Sequence, residues 1–251
     1  MENWNLRPAR DLGLAPLDRL RSLGREQGLV GLALNAGWRK AVRAYLTAFH
    51  RFRVTGRKNL PAEPPFILVA NHASHLDALA LAAALRGLPA RRAHAMAAGE
   101  LFFGGPTRSV LAAYAINALP VWRGRSRRTD LDTMRARLAE DALVYILFPE
   151  GTRSRTGEMA PFQPGIGMLV AGTDIPVVPC WLEGGRAAWP AEARAPRPGR
   201  SLHLTIGPPL HFPDARNDRT GWQSIASATE AAVYRLAPVG MQPQPAAPSS
   251  D

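Results

Sequence analysis

The sequence predicts an α/β fold, a mainly parallel central sheet flanked by helices and preceded by an N-terminal helical arm, on three observations. Short apolar runs bounded by turn residues alternate with segments of helical period. The most polar, chemistry-rich stretches come directly after two of those runs, and the leading segment is basic and amphipathic. At 251 residues the chain can bury one substantial core. The expected organisation is an arm over residues 1–53, one α/β domain over 54–236, and a disordered Pro-, Gln-, Ala- and Ser-rich tail over 237–251.

The arm comes first. Residues 1–58 carry twelve Arg or Lys against four Asp or Glu, within a net charge of +11. A segment this basic favours a polyanion, either anionic lipid headgroups or nucleic acid. Over residues 29–52, Leu29, Leu32, Ala33, Ala36, Ala41, Ala44, Leu46 and Phe49 interleave with Arg39, Lys40, Arg43, His50 and Arg51, and Trp38 and Tyr45 suit an interface. This describes a membrane-docking helix lying on an anionic surface; a helix packed on its own domain fits the pattern equally. No run of about 18 apolar residues is present, and the N-terminus lacks the basic-then-apolar order of a signal peptide. Peripheral attachment, at the cytoplasmic face, is therefore expected. The single cysteine, Cys180, sits in an apolar stretch and reads as a buried thiol, which fits a reducing compartment.

Within the domain, strands are expected at Phe66–Ala70, His94–Ala97, Leu119–Trp122, Leu143–Phe148, Pro176–Leu182 and Leu202–Ile206. Helices are expected at Leu76–Arg86, Thr107–Ala115, Thr129–Ala139, Gly165–Gly172 and Trp222–Leu236. Residues 184–200, rich in Ala, Pro, Arg and Gly, read as a surface excursion. Gly165-Ile-Gly167 lacks the third glycine of a dinucleotide loop and points to close helix packing.

The first polar constellation is Asn71-His72-Ala73-Ser74-His75-Leu76-Asp77, delivered to a sheet's carboxyl edge by Phe66–Ala70. Five residues on a regular helix would rotate His72 and Asp77 apart. If Ser74 is the N-cap, Asp77 falls in the first turn and His72 lies just outside, where a carboxylate can hold one imidazole nitrogen and leave the other as a base. Ser74 to Asp77 also satisfies a capping-box pattern, in which Asp77 only terminates the helix. A metal site of His72, His75 and Asp77 lacks the usual ligand signatures, so no metal is expected. The second constellation, Phe148-Pro-Glu150-Gly151-Thr152-Arg153-Ser154, combines glycine for close approach, a hydroxyl donor and a guanidinium fork, and looks like an anion clamp.

Together these motifs resemble the glycerolipid acyltransferases typified by 1-acylglycerol-3-phosphate acyltransferase. The Asn-His-x-x-x-x-Asp block is matched by Asn71-His72 through Asp77, and the Phe-Pro-Glu-Gly-Thr-Arg-Ser block by Phe148 to Ser154 without a departure. Ile175-Pro-Val-Val-Pro179 matches a further block, and the likeness covers roughly residues 54–212. It implies that His72 is the general base for an acceptor hydroxyl, with Asp77 as its orienting partner. It also implies that Glu150, Gly151, Thr152 and Arg153, with Arg123, bind the acceptor's polar or phosphate end. The implied donor is acyl-CoA or acyl-carrier protein as a co-substrate with no resident cofactor. The implied acceptor is a lysophospholipid such as 1-acylglycerol 3-phosphate, giving phosphatidic acid.

Two departures touch the acceptor. Where the family carries Gly-x-x-x-Val-Asp-Arg, this chain reads Asn117-Ala-Leu-Pro-Val-Trp122-Arg123, and where many members place a lysine before a Glu-Leu pair it reads Ala97-Ala98-Gly99-Glu100-Leu101. Arg91, Arg92, Arg125, Arg127 or Arg128 can replace the missing cation or stand as solvated surface charges. A lyso-aminolipid or glycolipid acceptor is the alternative. The cluster from Arg123 to Arg128 also admits a purely electrostatic nucleic-acid binder, without the aromatic interleaving or zinc spacing of the common modules. A non-catalytic lipid-binding relative is the third reading, and the intact His72, Asp77 and Glu150 argue against it.

Overall fold

The computed structural model of the chain describes residues 8–26, 28–99, 103–121 and 128–238. Among them are eight strands: β1 Arg53–Thr55, β2 Phe66–Ala70, β3 Ala93–Ala98, β4 Leu119–Val121, β5 Val144–Leu147, β6 Thr173–Glu183, β7 His203–Ile206 and β8 Leu210–Phe212. They form one sheet in the order β1-β7-β6-β2-β5-β3-β4, with β8 paired to β6. β2 lies between β5 and β6 and is parallel to both, and β3 and β4 continue the parallel run. Only β7 and β8 run antiparallel to β6. The mainly parallel α/β class is therefore the observed one.

The unbroken apolar run Phe66-Ile-Leu-Val-Ala70 is what a strand covered on both faces requires, and every one of its residues is buried. Phe66, Leu68 and Ala70 face one core with α3 (Asp77–Ala84) and the C-terminal half of α2 (Leu29–His50). Ile67 and Val69 face a second core with α6 (Arg128–Glu140), α7 (Gly165–Val170) and α9 (Arg219–Tyr234). Gly167 of α7 packs so close to α9 that an added methyl would collide with the Trp222 backbone, which bears out the close-packing reading of Gly165-Ile-Gly167.

Several expectations shift. The strand expected through Phe148 ends at Leu147, which frees the Phe148 ring for the site. β1 and β8 were not expected: each is only three residues long, too short for its alternation to be read as a strand, and each exists because β7 or β6 offers it a ladder. β1 opens at Arg53, so the sheet begins at the residue taken as the end of the arm. The expected tail lies outside the described residues from 239 onward, but its first residue, Ala237, is buried in the second core.

The arm contains α1 (Pro16–Arg21) and α2. One face of α2 buries Val42, Leu46 and His50, and Arg43 donates from Nε and Nη2 to the Ala83 carbonyl and from Nη2 to that of Leu85, at the end of α3. A guanidinium there satisfies carbonyls that the helix leaves open and complements its dipole. The other face leaves Leu29, Val30, Leu34, Trp38 and Phe49 exposed. The reading of residues 29–52 as a helix packed on its own domain thus describes one face of α2.

The arm is also tied down by Asn117. This residue has φ 48°, the left-handed region that glycine suits best and that asparagine tolerates. Its Oδ1 accepts from Arg25 Nη2 at 2.7 Å, and its Nδ2 donates to the Ala93 carbonyl at 2.8 Å. The asparagine found where the family's block carries glycine thus sits in a conformation that glycine also adopts, and its side chain anchors the arm.

Candidate active site

The polar turns after β2 and β5 meet at the carboxyl edge of adjacent parallel strands. Asn71 prolongs the β2 ladder through its side chain, donating to the Leu182 carbonyl at 3.0 Å and accepting from Leu182 N–H at 2.7 Å. His72 follows with its Nδ1 2.8 Å from Asp77 Oδ2. A carboxylate only accepts, so Nδ1 carries a proton, and in the neutral ring Nε2 is the nitrogen with the lone pair. The same Oδ2 accepts from the backbone N–H groups of Ala73 and Ser74, each at 2.8 Å.

The geometry corrects the expected cap. α3 starts at Asp77 rather than after Ser74, and Ser74 Oγ accepts from Leu76 N–H while donating to the Trp189 carbonyl at 2.8 Å. Asp77 folds back over the turn, so one carboxylate oxygen both orients the histidine and holds the backbone of the turn before the helix, while the helix itself has no side-chain cap.

The β5 turn clamps the backbone of the same histidine. Glu150 Oε1 accepts from His72 N–H at 2.6 Å, and Ser154 N–H donates to the His72 carbonyl at 2.7 Å. The imidazole stacks on Phe148 with centroids 4.0 Å apart and planes 17° from parallel. Glu150 Oε2 accepts from Ala160 N–H at 2.9 Å, so both carboxylate oxygens are engaged with backbone donors. Burial pushes this carboxyl up to about 7, against the two N–H bonds that favour its charged form. Expected at an acceptor's phosphate, Glu150 instead lies beneath the histidine at 5% exposure, where an anion would be repelled.

Gly151, Thr152 and Arg153 do face the histidine's cavity. It measures about 610 Å³, is lined by His72, His75, Phe148 and Trp189, and is walled by Trp38, Leu79, Met96, Ala112, Ile116 and Leu147 among others. That is an apolar chamber of ligand size with a few converging polar groups. Arg153 Nη1 lies 2.6 Å from both ring nitrogens of His75. Burial and this cation both lower the His75 pKa, which keeps the ring neutral beside the guanidinium.

Arg123, Arg125 and Arg127 lie outside the described residues. Arg91 and Arg92 precede β3 and so stand at the amino edge of the parallel sheet, away from the site; Arg92 donates instead to the Asp141 carbonyl at 3.0 Å. Among the described residues no group of three or more His, Cys, Asp and Glu side chains is placed to hold a metal ion.

Sequence reasoning missed residues 184–200 as part of the site. This segment is anchored on the histidine turn, where Ser74 and His75 both donate to the Trp189 carbonyl, and it carries α8 (Gly185–Ala188) across Asp77. A methyl on Gly185 would lie 2.8 Å from Asp77 Oδ1 and 3.0 Å from Ser74 Cβ, so only hydrogen fits. The signal was the pair Gly184-Gly185 directly after a strand, which composition alone reads as a turn.

Comparison with known proteins agrees with this geometry. The acyltransferase family model matches residues 51–183, just over half of the chain. Human 1-acyl-sn-glycerol-3-phosphate acyltransferase beta is 30% identical over 129 residues, which are 51% of this chain and 45% of that protein, so the chain spans about half the length of such relatives. The Bacillus subtilis 1-acyl-sn-glycerol-3-phosphate acyltransferase is 29% identical over 78% of this chain and 92% of its own length. The crystal structure of the Thermotoga maritima 1-acyl-sn-glycerophosphate acyltransferase PlsC superposes with a TM-score of 0.61 at 22% identity, covering 82% of this chain and 78% of that one, and so shares the fold. With both motif turns assembled at one sheet edge and the family model spanning them, this chain belongs to the acyltransferase family.

Proposed function

We propose that the protein transfers a fatty acyl group from a thioester donor to the hydroxyl of a lysophospholipid, with 1-acylglycerol 3-phosphate as the favoured acceptor. The observation that carries this reading is His72, its Nδ1 held by Asp77, facing an apolar cavity that also presents Arg153. An alcohol is too weak an acid to attack a thioester unaided, and a positioned base contributes about 10²–10⁴-fold. Nε2 takes the hydroxyl proton as the oxygen adds to the thioester carbonyl; the tetrahedral intermediate collapses, the C–S bond breaks, and the imidazolium returns the proton to the departing thiolate. Acyl-CoA and acyl-carrier protein both supply such a bond. Arg153 meets the acceptor's phosphate, and Thr152 adds a hydroxyl donor at the same wall.

No helix of the described residues is long and apolar enough to cross a membrane. Leu29, Val30, Leu34 and Trp38 on α2, beside exposed Val110 and Tyr114 on α5 (Pro106–Ala115), instead form an apolar ridge suited to lying on a bilayer. Trp38 belongs both to that ridge and to the cavity wall, which would let acceptor and acyl chain enter from the lipid side. Attachment at the cytoplasmic face of an anionic membrane completes the proposal.

The test is thiol release from acyl-CoA and acyl-carrier protein across a panel of lysolipids with the purified full-length chain. Activity on phosphate-bearing acceptors, lost in His72→Ala, is expected; no thiol release with any donor and acceptor would overturn the reading. A second reading, a lyso-aminolipid or glycolipid acceptor, is favoured by one observation: Arg153 is the single Arg or Lys among the described cavity-lining residues. The same panel separates the two.

A further inference from the structure

The apolar cavity is one of a pair at the carboxyl edge of the sheet. A second, of about 410 Å³, is lined by Asn71, Ala73, Thr156, Trp181, Arg186 and Arg197 among others. The two share their walls residue by residue. Along the histidine turn, Asn71 and Ala73 line the second cavity, whereas His72 and Ser74 line the apolar one. In the β5 loop, Gly151, Thr152 and Arg153 line the apolar side and Thr156 and Gly157 the other. Across the top, Trp189 lines one and Pro190 the other. Three segments thus form a partition, and His72 sits in it.

We propose that this second cavity binds the phosphate-bearing pantetheine arm of the acyl thioester donor. The acyl chain would lie in the apolar cavity, the arm in the second, and the thioester between them at His72. The proposal rests on the acyl-transfer reading above and adds the place of the donor's carrier.

The chemistry of the lining supports that ligand. Arg186 holds the Arg155 carbonyl through Nε at 2.8 Å, which orients its guanidinium. Among the described residues neither Arg186 nor Arg197 makes an ion pair, and nearby Arg194 and Arg200 on the same segment make none either. Glu183 and Glu192 also line the cavity, both exposed, so a phosphate would have to seat against the arginines and turn away from these carboxylates. A lysolipid phosphate is less suited to this side, because Arg153 already meets it beside His72. The phosphate of the arm is common to coenzyme A and to a carrier protein.

Steady-state kinetics with acyl-CoA and with acyl-carrier protein, on the full chain and on Arg186→Ala/Arg197→Ala, test the proposal. The donor KM should rise about tenfold for at least one carrier, the acceptor KM should hold, and the carrier affected names the source. With an acyl-pantetheine lacking phosphate, the gap between wild type and variant should close. The single variant Arg197→Ala, whose exposed side chain makes no ion pair among the described residues, should show part of the rise with an unchanged melting temperature. An unchanged donor KM for both carriers, or a gap that persists with the phosphate-free donor, would overturn the proposal. If wild type releases no thiol from any donor, the acyl-transfer reading falls first and takes this with it.

Discussion

Asp77 and Glu150 are both buried carboxylates on one histidine, and the difference between them divides the labour of the site. Asp77 accepts from two backbone N–H groups and from the His72 ring, so it sets the tautomer and the direction of the imidazole. Glu150 accepts from the His72 backbone and from Ala160, with no side-chain donor, so it sets where the residue sits. Two acidic residues in two adjacent motifs therefore act on His72 from independent directions, one on its ring and one on its main chain. The comparison teaches that a polar residue in a motif can hold a neighbouring side chain in place without itself lining the cavity that side chain faces.

Removing the shared target should have the largest effect. His72→Ala should lower acyl transfer by about 10²–10⁴-fold with little loss of stability, since the backbone bonds to Glu150 and Ser154 survive; turnover and urea denaturation together check this. Asp77→Asn should lower turnover by a comparable factor and, unlike His72→Ala, also destabilise the fold by about 1–3 kcal/mol, because the three donors that converge on one charged carboxylate oxygen would then meet a neutral, weaker amide acceptor. Equal stability in the two variants would break the distinction drawn here.

Gly185→Ala should press first on Asp77, with Ser74 and Leu182 next to it. Overpacking at this contact should destabilise by about 1–3 kcal/mol and reduce kcat about tenfold with the acceptor KM nearly unchanged. A KM effect in place of a kcat effect would mean that α8 serves the ligand and not the carboxylate.

The smallest effect belongs to Glu150, and its signature is pH. Its folded pKa, about 7, stands above its ordinary value of 4.5, so the native state retains the proton longer than the unfolded state does. The stability this linkage provides is present below about pH 4.5 and is lost as pH rises to about 7. Glu150→Gln should flatten that part of a urea midpoint profile and lower kcat no more than about tenfold, since Ser154 still holds the His72 carbonyl. A profile unchanged between wild type and variant would remove the role assigned to the carboxyl.

The α/β class, the strand that delivers His72 and the two motif turns were legible because each is written locally: an apolar run, then a break, then polar residues. The site's third wall was not. Gly185 and Trp189 belong to a stretch whose composition reads as an excursion, and their contacts with Asp77, Ser74 and His75 cross more than a hundred positions of chain. Nor was the role of Glu150 visible, since a sequence shows that a carboxylate stands near an arginine but not that one points inward and the other out.

The amino-acid sequence by itself determined the central strand, because five consecutive apolar residues are stable only with both faces covered, and it determined which residue types reach the sheet's carboxyl edge. Only the tertiary structure decided which of them meet. Pairing β2 with β5 and β6 brings Glu150 and Leu182 to the histidine turn, folds the 184–200 segment over Asp77, and makes His72 the boundary between two cavities. The physical reason is that a local pattern specifies burial and backbone conformation, whereas hydrogen-bond partners and cavities depend on which distant segment fills the neighbouring space.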